Sequence, residues 1–117
     1  MARPKKQRTV CFVPSIKEYG PLNHTEQGLN NVEMTIEEFE SIRLMDYENL
    51  GQEVSAKVMQ IARSTFQRIY NDARKKIAHS LVHGETLVIE GGEYRLCDDY
   101  TGEGYCFPRD NKKEGQK

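Results

Sequence analysis

A chain of 117 residues that is 37% hydrophobic and 30% charged has room for one small domain with a modest core, and not for two ordinary domains. No apolar run approaches the ~20 residues that span a bilayer and the first residues lack a signal peptide's apolar stretch, so a soluble, cytoplasmic protein is expected. The net charge of −1 hides a segregation that leaves room for a polyanion partner: residues 1–17 carry five bases and no acid, 18–53 nine acids against Arg43 alone, and 57–78 six bases against Asp72.

Residues 1–8 form a basic arm without apolar periodicity, and "RTVCFVP" reads as a short strand ended by Pro14. From Ser15 to Val32, Gly20, Pro21, Asn23, Gly28, Asn30 and Asn31 mark a loop with neither helix nor strand. In "MTIEEFESIRLMDYENLG", Thr35 followed three positions later by Glu38 is a capping box, flanked by Met34 and Phe39 at the staple positions. A first helix is predicted to start there and to end near Asn49 and Gly51. A second helix is predicted from about Gln52 to Met59, and a third from about Ala62 to His83 with Gly84 as its stop. "TLVIEGGEYRL" is two alternating runs around Gly91 and Gly92, which predicts a hairpin with a two-residue turn. The single domain therefore spans residues 9–96, and residues 97–117 are a polar tail.

The second and third helices have the parts of a helix-turn-helix. Ala56 is a small residue for the helix contact, Met59 and Ile61 bracket the turn, and Phe66, Ile69, Ala73 and Ile77 recur at three- and four-residue spacing on one face with Tyr70 at its edge. The opposite face carries Arg63, Ser64, Gln67, Arg68 and Asn71, with no acid before Asp72, where a merely solvated helix usually mixes Glu with Lys. Arg forks onto guanine, Gln or Asn pairs with adenine, and Ser or Thr at a helix start reaches phosphate. Arg63, Ser64, Thr65, Gln67, Arg68 and Asn71 are accordingly placed nearest a major groove, with Arg74, Lys75 and Lys76 on phosphates. Arg3, Lys5 and Lys6 of the arm are expected to follow the backbone or enter a minor groove.

The segments "ARPKK", "IRLMDYENL", "RSTFQRI", "ARKKIA" and "IEGGEY", spread from Ala2 to Tyr94, together resemble a family of small prokaryotic proteins described as predicted DNA-binding. The helical core of that family is similar to region four of sigma factors. The resemblance implies a mostly α fold, a three-helix helix-turn-helix core with a small β-hairpin or sheet, and a transcriptional regulator specific for double-stranded DNA. Where the family usually has Gly and Ser around the turn, this chain has Gln60 and Ala62, so a slightly strained turn is expected, or a third helix that is capped instead by Ser64 or starts one residue later.

Cys11, Cys97 and Cys106 are odd in number and widely spaced, unlike a secreted disulfide framework, and read as reduced thiols. His79 and His83 share a helix face and could join Cys97 and Cys106 around a zinc ion, but the nine-residue cysteine spacing is unlike a knuckle, so no metal or cofactor is expected. Glu37, Glu38 and Glu40 read as acids favourable to a helix N-terminus, and without a phosphate loop, nucleophile elbow or paired carboxylates no enzyme is expected. The alternatives are an interaction module touching RNA polymerase or another regulator through the acidic first helix, or a metal or redox sensor. Two DNA half-sites call for two reading helices, so a homodimer is expected.

Overall fold

The capping box is present in the structure, a computed structural model that describes residues 8–11, 13–22 and 30–97. The Glu38 amide donates to Thr35 Oγ1 at 3.2 Å and the Thr35 amide donates to Glu38 Oε1 at 2.9 Å, so two orphan amides at the start of α1 (Ile36–Ile42) are satisfied. The coil then widens into a π-helical segment, Arg43–Tyr47, closed by Glu48 N donating to Arg43 O at 2.8 Å. Two more helices follow, α2 (Gln52–Met59) and α3 (Arg63–His83), the latter ended by Gly84 at φ 66°. The helix boundaries therefore agree with the caps and stops in the sequence. The fold is mostly helical with small sheets, and among the described residues no helix is long and apolar enough to cross a membrane.

Five short strands make the sheets: β1 (Arg8–Val10), β2 (Glu18–Tyr19), β3 (Asn31–Met34), β4 (Thr86–Ile89) and β5 (Tyr94–Leu96). β4 lies between β3, parallel with Asn31 opposite Thr86, and β2, antiparallel with Glu18 opposite Val88. This corrects the reading of residues 15–32 as strandless: β2 and the first half of β3 lie within that stretch and form because β4 supplies a hydrogen-bonding edge on each side. It also overturns the predicted hairpin. Both edges of β4 are occupied, so β5 leaves it and pairs in parallel with β1, Arg8 opposite Tyr94. The start of α1 holds the Gly-Gly link in this course: Ile36 N donates to Gly91 O at 3.0 Å, and Gly92 packs against the Glu37 carboxylate, where a Cβ would collide.

The core lies where α1 and α2 pack on α3, over Val10, Met34, Leu44, Met59, Phe66, Ala73 and Ile89. Three acids of α1 are buried with it, each against a cation from another segment. Glu37 faces Arg8 at 3.8 Å, Glu38 takes Lys76 Nζ at 2.8 Å, and Glu40, fully buried, accepts Arg43 Nε and Nη2, each at 2.9 Å. Glu40 also accepts the Cys11 amide at 3.0 Å, and Arg43 Nη1 reaches Glu48 at 3.0 Å. Burial alone would lower the Arg43 pKa; the hydrogen bond and charge of Glu40 outweigh it and raise the value above that of a free guanidinium. The acids at the helix start thus do more than complement its dipole: they tie α1 to β1, α3 and the π-helical segment.

Candidate nucleic-acid interface

The link between α2 and α3 is three residues long. Gln60 adopts the left-handed conformation (φ 59°, ψ 46°) and Ile61 N donates to Ala56 O at 3.0 Å, which closes the end of α2. Ala62 is extended and caps α3 without a side-chain hydrogen bond. The strained conformation expected at Gln60 is present, and α3 starts at Arg63, one residue after Ala62. Gln60 gains partners from outside the helices: its Oε1 accepts Arg95 Nη2 at 3.1 Å and Thr9 Oγ1 at 3.4 Å, so the β1–β5 pair braces the turn. Sequence reasoning missed Arg95, which lies 35 positions from Gln60 with no local pattern to connect them.

Beyond the turn, α3 divides into two sides. Phe66, Ile69, Tyr70 and Ala73 are buried, and Ala56 of α2 is 3% exposed, which allows close approach. The Tyr70 ring stacks on Phe66 with centroids 6.0 Å apart, and its hydroxyl donates to Asp46 Oδ1 at 2.8 Å. Burial first, and that hydrogen bond second, raise the pKa of the phenol. On the other side Arg63, Ser64, Gln67, Arg68, Asn71, Arg74 and Lys75 are all exposed. Arg74 covers the Tyr70 ring at 5.5 Å, a cation–π contact that orients its guanidinium without neutralising it. Among the described residues Arg63, Arg68 and Lys75 form no ion pair. The outer side is thus a free cationic surface on a helix fixed from beneath.

Two of the predicted contacts are placed elsewhere. Thr65 is half-buried, and Lys76, nine positions after Gln67, comes round to the inner side of the helix and pairs with Glu38. Arg3, Lys5 and Lys6 lie outside the described residues; the strand that follows them begins at Arg8, and its Thr9 touches the turn before α3. His79 lies 3.3 Å from the Glu85 carboxylate, and its ring meets that of His83 at a tilt of 41° with centroids 4.3 Å apart. Among the described residues no three His, Cys, Asp or Glu gather as metal ligands; Cys106 lies outside them.

The sequence profile of the family described as "Protein of unknown function DUF134" matches residues 1–97. The UPF0251 protein of Desulfitobacterium hafniense (strain Y51) is 48% identical over 125 residues, covering 99% of each chain. Those of Halothermothrix orenii and Thermoanaerobacter pseudethanolicus are 45% and 43% identical, covering 82% and 85% of this chain and 71% and 84% of their own. No solved structure matches the chain. By the extent of the profile and the identity of these relatives, the chain belongs to the DUF134 family, whose members carry the name UPF0251.

Proposed function

We propose that the protein binds double-stranded DNA as a transcriptional regulator rather than an enzyme, with α2, its turn and α3 acting as a sigma-region-four-like helix-turn-helix. The observation that carries this reading is the composition of the exposed side of α3, with Arg63, Ser64, Gln67, Arg68 and Asn71 over its first turns and Arg74 and Lys75 beyond. This combination supplies forked and amide donors for base edges and cations for phosphates. A two-turn reading segment fits a major groove about 12 Å wide, and its packing on α1 and α2 from beneath leaves that side clear. Arg95, exposed beside the turn, extends the cationic surface toward β5. The competing reading, an interaction module that uses an acidic first helix, loses most of its surface, because Glu37, Glu38 and Glu40 are buried.

Selection of bound fragments from random duplexes, followed by affinity measurement, tests the proposal. Arg68→Ala is expected to weaken binding to the selected duplex by about 1–3 kcal/mol and to relax preference at one base position. A selection that enriches nothing, with unchanged affinity in the variant, would contradict the reading.

A further inference from the structure

The β1–β5 ladder runs onto two cysteines. Its register sets Arg8 opposite Tyr94, Thr9 opposite Arg95 and Val10 opposite Leu96, so the next rung joins Cys11 and Cys97. The hydrogen bonding reaches that rung: Cys97 N donates to Val10 O at 2.8 Å, while Cys11 N turns away from β5 to Glu40 Oε2, as alternate amides of a strand do. Opposed residues of a parallel pair carry their side chains on one face, and positions two apart return to it. The rung of Thr9 and Arg95 shows which face this is, because both side chains reach Gln60 Oε1. Cys11 and Cys97 therefore lie on the side of the ladder that braces the turn between α2 and α3. They are 86 positions apart in the chain, and no local pattern pairs them.

We propose that Cys11 and Cys97 form a redox modification site, two thiols that close to an intramolecular disulfide when a small disulfide compound oxidises them. Neighbouring strands lie about 5 Å apart, inside the ~4.4–6.8 Å between Cα atoms that a disulfide spans. Both cysteines stand one residue past the regular ladder and both are half-buried, so an oxidant reaches them and a reductant reopens the bond. One thiolate attacks the sulfur–sulfur bond of the small disulfide, forms a mixed disulfide and releases the first small thiol. The other thiolate then attacks the protein sulfur of that mixed disulfide and releases the second. The two cysteines give up two electrons and two protons, which leave on the two small thiols. The new bond closes a loop over residues 11–97, nearly all of the described chain, and makes covalent the rung next to the one that holds Gln60. Oxidation thus locks β5 to β1 and acts on the turn through Thr9 and Arg95. The chemistry is independent of what the outer side of α3 binds.

Incubating the reduced full chain with oxidised glutathione under mildly alkaline conditions tests this, read by mass spectrometry of the intact chain and of its peptides. The expected product is a single chain lighter by two hydrogens, with the peptides of Cys11 and Cys97 joined. Cys106→Ser is expected to form the same bond. In that variant oxidation should raise the melting temperature by at least about 5 °C, reversibly with dithiothreitol, and should move the Gln60 side-chain amide resonance. Adding Cys11→Ser should abolish both effects. Thiols that serve only as packing would give no bond in the folded protein, and that result overturns the site. So does glutathione left as a mixed disulfide on each cysteine, or Cys97 joined to Cys106 or to a second chain. A bond that forms without the melting shift, or without moving the Gln60 resonance, overturns the lock on the strands and its action on the turn.

Discussion

Glu40 is a carboxylate with no exposure to solvent, and Arg43 is the cation that makes its burial tolerable through two 2.9 Å hydrogen bonds. Arg43→Ala leaves a buried charge with only the Cys11 amide and is expected to cost about 3–5 kcal/mol in denaturant unfolding. Tyr70 makes a pH-dependent contribution. Burial and donation to Asp46 raise its pKa, so the native state keeps a proton that the unfolded chain releases near pH ~10. The associated stability is complete below that pH and is lost as the pH rises through the raised native value. Tyr70→Phe is expected to be less stable at neutral pH by about 0.5–1.5 kcal/mol and to lose less stability than the wild type above pH ~10, as urea unfolding at a series of pH values would show.

At the scale of elements, the link between β4 and β5 shows where a local pattern stops being sufficient. Alternating runs around two glycines are the usual signature of a hairpin, yet the partners of β4 come from residues 18–19 and 31–34. Gly91 and Gly92 both have positive φ, at 78° and 110°, but only Gly92 faces the Glu37 carboxylate. Gly91→Ala should therefore cost about 1 kcal/mol, from backbone strain alone. Gly92→Ala should cost clearly more and disturb the start of α1; equal melting temperatures for the two variants would contradict this account of the link. The helices were legible because their signals are local: the Thr35–Glu38 box, the apolar spacing from Phe66 to Ala73, and Gly84. The exposed side of α3 was legible for the same reason, as the complement of its apolar stripe. The strand partners, the Lys76–Glu38 pair and the Arg95–Gln60 contact were not, because each joins residues far apart in the chain.

Over the whole molecule, the segregated charges of the sequence sort into two populations. Arg8, Arg43 and Lys76 pair with buried acids of α1, whereas Arg63, Arg68, Arg74 and Lys75 remain outside on one side of α3. A near-neutral chain thereby keeps a concentrated cationic surface, and any duplex affinity that depends on it must fall steeply with salt. The central claim is that this surface is where DNA sits. It is tested most directly by titrating the isotope-labelled chain with a short duplex at low salt and following amide chemical shifts residue by residue. The account predicts perturbations concentrated from Arg63 to Lys75 and at the Gln60 turn, reversed by added salt. Shifts confined to other elements, or none at duplex concentrations that saturate ordinary non-specific binding, would contradict it.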